Sequence, residues 1–233
     1  METLESAAAD PYYNRYPVFD RQMALALLNK LDTGCIFYFQ QYLKKYKGDI
    51  NIKDCWQKMG LAYYINNNPA KANYCLEQAR ALGNTHTDAD KLAYRFAENK
   101  VWPNKALLQA RLLIEGGYYE RALTILRSIS PAQLSQPEDK LEYLFRYGRA
   151  CQETGDNNKA LDYYQKAINT GKDRHEQFAA RAALQMGQIY EQGGMKIPAL
   201  ARYKECLHMP DHDFQNSIDQ QAKAGLNRLG GND

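Results

Sequence analysis

Long apolar runs are missing from this chain. No window approaches the roughly 18 uninterrupted apolar residues that a membrane-spanning helix requires. The first residues, METLESAAADPYYNRYP, have neither a basic start nor an apolar core, so they do not read as a secretory signal. The expectation is therefore a cytoplasmic protein; if the chain is a fragment of an exported protein, the envelope is the alternative. Charge of one sign is also lacking. A formal net charge of +3 makes no case for a nucleic-acid binder, and any basic surface must be local. Five cysteines, at 35, 55, 75, 151 and 206, form no C-x-x-C pair, which argues against a metal or redox site. They read as buried thiols acting as small hydrophobes in a reducing compartment. No G-x-S-x-G, P-loop or Rossmann glycine pattern occurs, so an enzyme is not expected and no cofactor is implied. Histidine is scarce: four are present, and the only suggestive group is HMPDHD, with His208 and His212 four apart. Pro210 interrupts the helix that would place both imidazoles on one side, so a polar turn is expected rather than a metal site, and His212→Ala should cost little.

What the chain does have is hydrophobic content, 45% of residues, and internal repetition. GGYYERALTILRSI from Gly116 is echoed by GDNNKALDYYQKAI from Gly155. Each is a turn, then alanine, then a large apolar residue four positions on. Upstream, Trp56, Met59, Gly60 and Tyr63 are followed by Ala72, Leu76 and Ala79. Tyr147, Gly148, Cys151, Ala160, Tyr164 and Ala167 repeat the pattern, as do Met186, Gly187, Tyr190, Ala199, Tyr203 and Cys206. A weaker copy has Ala110 in the glycine place, then Ala122, Leu126 and Ile129; the weakest has Met23, Cys35 and Phe39. Small residues at these places let two helices approach closely, and the large ones fill the gap to the next pair. One such unit cannot bury its apolar face alone, which is why the pattern recurs.

The spacing W-x2-L-G-x2-Y, then A-x3-F, resembles the tetratricopeptide repeat (TPR), and the likeness extends from about residue 15 to 213. NKALLQARLLIEGGYYERAL and FQNSIDQQAKAGLNRL also resemble the C-terminal part of bacterial TPR proteins without assigned activity. The resemblance implies an all-α, right-handed superhelical solenoid of about five hairpins. It also implies a scaffold that binds a peptide or partner protein in its concave groove.

Successive second-helix positions, 35, 72, 122, 160 and 199, are 37, 50, 38 and 39 apart. The long interval holds an insertion. The expected organisation is a polar lead-in over 1–14, hairpins over 15–83, an inserted helix and joint over 84–104, hairpins over 105–213, and a capping helix and tail over 214–233. Within the insertion, Thr87 with Asp90 resembles a capping box, and Leu92 with Phe96 is apolar at helical spacing. A short helix near 88–98 is expected, with a break at Trp102-Pro103. The stretch is either a link in one continuous superhelix, the preferred reading, or a joint between two sub-arrays. At the end, Ile218, Ala222, Leu226 and Leu229 share one helical stripe backed by polar residues, and Gly230-Gly231 closes it.

The groove of such an array is lined by first helices, so residues beside each glycine equivalent are the candidates. These are Lys58, Tyr64, Arg111, Arg146, Arg149, Arg181, Gln185 and Gln188. Arginines on successive first helices would hold carboxylates bidentately. The implied partner is a protein or peptide with an acidic or C-terminal segment, and Arg111, Arg149 and Arg181 are expected to engage it together. TPR domains that clamp terminal carboxylates carry asparagine after the glycine; here that place holds Leu61, Arg149 or Gln188, so the likeness fails in detail. The competing reading pairs Arg146 and Arg149 with Glu142 and Glu153 on their own helix as solvated charges. Two other functions stay open: a regulatory or enzyme-associated domain of a longer protein whose activity lies in a missing segment, and a nucleic-acid array, which salt-sensitive binding would betray.

Overall fold

The computed structural model describes residues 16–209 and 212–231. Among the described residues there are twelve α-helices and one 3-10 turn, and no strand. In chain order the helices are α1 (Pro17–Asn29), α2 (Cys35–Lys45), α3 (Ile52–Ile65), α4 (Pro69–Ala81), α5 (Asp88–Asn99) and α6 (Lys105–Glu115). They continue with α7 (Tyr119–Ser128), α8 (Pro137–Glu153), α9 (Asn157–Gly171), α10 (Phe178–Gln192), α11 (Lys196–Leu207) and α12 (Gln215–Arg228). The polar lead-in over 1–14, Pro210 and Asp211 lie outside the described residues. No described helix is long and apolar enough to cross a membrane.

Local chemistry starts these helices where they start. Asn68, Thr87, Asn104 and Asp156 each turn a side-chain oxygen onto backbone N–H groups of the first turn of α4, α5, α6 and α9. Proline stands in the first turn of α1, α4 and α8, where its missing N–H costs nothing. The turn before α9 needs a left-handed residue, and Gly155 supplies it at φ +85°. Asn67 takes the same conformation, at φ +57°, in the turn before α4.

The chain divides into two compact units, one ending at Tyr118 and the other beginning at Tyr119. In the first, α1 pairs with α2 and α3 with α4, while α5 packs across both helices of the second hairpin. α6 packs against the first helices α1 and α3. Its Leu108 and Leu112 share a core cluster with Met23, Leu27, Phe39, Met59 and Ala62. In the second unit α7 packs on α8, α8 pairs with α9, α10 pairs with α11, and α12 packs across α11 and α10. α5 thus stands to its last hairpin as α12 stands to its own.

Close approach at the glycines sets how the helices of each hairpin pack. A Cβ on Gly148 would lie 2.8 Å from ring carbons of Tyr164, and one on Gly187 would lie 2.5 Å from Tyr203. Both rings are fully buried. Each hydroxyl is satisfied: Tyr164 donates to Gln152 Oε1 at 2.7 Å and Tyr203 donates to Glu191. The far side of Tyr203 rests on Gly225 of α12, a contact that sequence spacing did not suggest. Arg228, also on α12, forks onto both oxygens of Glu191 at 2.8 and 2.9 Å. That fork first, then the Tyr203 hydroxyl, drops the Glu191 pKa to about 2 against the opposing pull of burial.

Two expectations need correction. The inserted helix forms and Phe96 packs against the core, but Leu92 is half exposed, because α5 buries Asp90, Ala93 and Ala97 beside Phe96 instead. The Asp90 carboxylate accepts from the backbone N–H of Asn51 at 2.8 Å and of Asp54 at 3.1 Å, and from the Thr87 hydroxyl at 2.7 Å. It therefore caps α3 from a different helix, and the fit of a carboxylate to those donors outweighs the burial of a leucine. His212 is buried rather than solvated. Its Nδ1 lies 3.0 Å from the carbonyl of Asp213, whose own N–H donates to His175 O. Removing its side chain would open a cavity in the joint between loops, so the expected small cost does not follow.

Candidate functional site

Lys58 and Tyr64 lie on α3 in the first unit, and both are engaged by their own chain. Lys58 bonds Asp54 at 2.5 Å, and Arg21 from α1 reaches the other oxygen at 2.6 Å. Burial would raise the Asp54 carboxyl, but Lys58 and Arg21 outweigh it and hold the pKa below the ordinary value. The Tyr64 ring stacks on Trp102 with centroids 4.6 Å apart, its hydroxyl donates to Pro103 O at 3.0 Å, and Lys105 Nζ sits 5.0 Å from the ring centre. Arg111 lies on α6 of the same unit, with its Nε 3.9 Å from Glu115. The face of α1 and α3 is thus occupied by α6, and the Tyr64 end of α3 by the Trp102-Pro103 segment.

The second unit carries the other five candidates, and it brings two of them into direct contact. Arg149 of α8 donates from Nη1 to Gln185 Oε1 of α10 at 2.6 Å. Arg181 and Gln188 lie one turn before and after Gln185, on the same side of α10. Arg181 is exposed, with its guanidinium 5.9 Å from the centre of the Phe214 ring. Gln185 and Gln188 are half-buried.

The two α8 arginines differ in what surrounds them. Arg146 bonds Glu142 at 3.1 Å, and both side chains are nearly covered, at 14% and 15% exposure. Its guanidinium also lies 5.8 Å from the Phe145 ring centre and 5.7 Å from that of Phe178. Arg149 bonds Glu153 at 2.6 Å and keeps 33% of its side chain exposed. The same-helix pairing of Arg146 with Glu142 and Arg149 with Glu153 is therefore present, as their four-residue spacing indicates. Phe178 and Phe214 escaped sequence reasoning. Phe178 opens α10 and Phe214 precedes α12, both outside the repeat pattern, so no periodic signal marked them.

Guanidinium forks beside two side-chain amides can hold a carboxylate or a peptide group. Burial drives the five thiols up, Cys35, Cys55, Cys75 and Cys206 to about 12, which keeps them protonated. No group of three metal-ligating side chains forms among the described residues.

No family model matches this chain. No curated protein matches it either. Among solved structures it is similar to the crystal structure of the P58(IPK) TPR domain, at 15% identity and a TM-score of 0.41. The match covers 97% of this chain and 59% of that one, so the chain spans less than two thirds of its neighbour's length.

Proposed function

We propose that this chain is a non-enzymatic scaffold that docks a segment of a partner protein on the face shared by α8 and α10. The observation that carries the reading is the Arg149–Gln185 bridge, which joins first helices of consecutive hairpins through partly exposed hydrogen-bonding groups. Arg181 and Gln188 extend the same side of α10. Guanidinium groups favour a carboxylate over a neutral ligand, so an acidic or C-terminal segment is the partner chemistry. Lys58, Tyr64 and Arg111 belong to the first unit and are not needed for this contact.

Arg149→Ala and Arg181→Ala test it by calorimetry against two labelled peptides. One is glutamate-rich with an amidated C-terminus, and the other is a Gly-Ser peptide with a free C-terminal carboxylate. Loss of a charge-assisted contact should weaken binding by about 1.5–3 kcal/mol with helicity unchanged. Unchanged affinity in both variants would sink the reading. Binding of either peptide no better than of single-stranded nucleic acid, with steep loss in salt, would favour the nucleic-acid alternative.

A further inference from the structure

The Arg149 fork is already holding a carboxylate. Glu153 lies one turn along α8, with Oε1 2.6 Å from Arg149 Nη2, so it stands where an oxygen of an incoming carboxylate would bind. Gln185 takes the other terminal nitrogen at 2.6 Å. We propose that Glu153 is a built-in competitor for this site, occupying Arg149 in the free protein and yielding it to a carboxylate-bearing partner. The proposal rests on the docking reading above and specifies how that face is regulated.

Exchange at this pair is cheap, which the neighbouring pair shows by contrast. Glu142 and Arg146 are nearly covered, and Arg146 lies against the paired rings of Phe145 and Phe178, so separating them strands charge away from water. Glu153 keeps 26% and Arg149 33% of the side chain exposed, so each can be resolvated when the other leaves. Glu153 also has somewhere to go. Burial, then the neighbouring Glu153 carboxylate, raises the Tyr119 hydroxyl above its ordinary pKa. That hydroxyl stays protonated and keeps a hydrogen bond for Glu153 after Arg149 has turned to the ligand. Arg146 therefore belongs to the wall, and Arg149 is the contact that a partner competes for.

Glu153→Gln removes the competing charge while keeping length and an acceptor for Tyr119. Affinity is measured by fluorescence anisotropy for the same two peptides, beside Arg149→Ala and the wild type, with melting curves as the control for folding. The glutamate-rich amide and the free-carboxylate Gly-Ser peptide separate side-chain from terminal carboxylates as the favoured source. Glu153→Gln should bind the favoured peptide about fivefold more tightly, as expected for deletion of one exposed competing ion pair, and the gain should shrink in salt. Arg149→Ala combined with Glu153→Gln should show no gain over Arg149→Ala alone. If Glu153→Gln binds no tighter while Arg149→Ala still binds more weakly, the competitor proposal fails and the docking reading stands. If Arg149→Ala leaves both affinities unchanged, the docking reading fails and this proposal falls with it.

Discussion

At the scale of single residues, the glycines of the second unit act through distance. Gly148 has no room for a methyl group, because the Tyr164 ring sits 2.8 Å from where Cβ would be and is itself fully enclosed. Gly148→Ala should therefore destabilise by roughly 1–3 kcal/mol, read as a lower melting temperature. Gly194 is a control of a different kind. A Cβ there meets nothing within 4 Å, but φ is +71°, so alanine should cost about 1–2 kcal/mol through backbone strain alone. The mechanisms separate in a double variant. Tyr164→Leu makes space beside position 148 and should partly offset Gly148→Ala, whereas it should simply add to Gly194→Ala. Strict additivity in the first pair would mean that the ring is not what excludes the methyl. The recurrence of glycine and tyrosine at 148 and 164 and again at 187 and 203 was legible in the sequence, but the contact was not. The large residue was expected to fill the gap to the next pair, and instead it also lies against the glycine of its own hairpin. Gly225 on the other side of Tyr203 was not, because it lies in α12, beyond the last repeat.

At the scale of elements, α5 shows why a helix can be foreseen while its orientation is not. Thr87 three residues before Asp90 marks the start, and Thr87 Oγ1 does accept from the Asp90 N–H at 3.1 Å. Hydrophobic periodicity then points to Leu92 and Phe96 as the inner face. Phe96 does pack against the core, but Asp90 turns Leu92 outward, because the first turn of α3 has bare N–H groups that an acceptor from α5 reaches. Such a demand is written in the tertiary position of α3 and leaves no mark on the spacing of α5. Lys53 completes the joint, donating to the carbonyls of Ala79 and Arg80 at 3.0 Å each, at the end of α4. Asp90→Ala should cost roughly 1–3 kcal/mol in urea denaturation, since it leaves buried donors unsatisfied. Faster amide exchange at Asn51 and Asp54 should accompany it. Leu92→Ser should stay within about 0.5 kcal/mol of the wild type, as for an exposed position. Equal losses in the two variants would restore the leucine as the anchor.

At the scale of the whole molecule, the insertion was readable from sequence. The division into two units was expected only as the less favoured alternative and within 84–104, whereas it falls between Tyr118 and Tyr119, inside what read as the hairpin of α6 and α7. The interval of 50 residues between Ala72 and Ala122 announces an insertion. It does not say that the inserted helix packs across α3 and α4 as α12 packs across α10 and α11, or that α6 returns to α1. Each unit is nevertheless tied by a carboxylate with a depressed pKa, Asp54 in the first and Glu191 in the second. Both groups bind protons more readily when the chain is unfolded. Their stabilisation is therefore complete above the ordinary carboxylate pKa, near 4, and is lost as pH falls through the folded values. For Glu191 that window reaches down to about 2. Urea midpoints should consequently hold steady from neutral pH until the ordinary carboxylate range and then fall. Arg228→Ala tests the second unit separately. With the fork gone, the Glu191 carboxyl carbon should titrate closer to the ordinary glutamate value in NMR, and part of the acid-dependent fall should disappear. A wild-type Glu191 that already titrates near about 4.3 would show that the fork is too loosely held in solution to fasten α12.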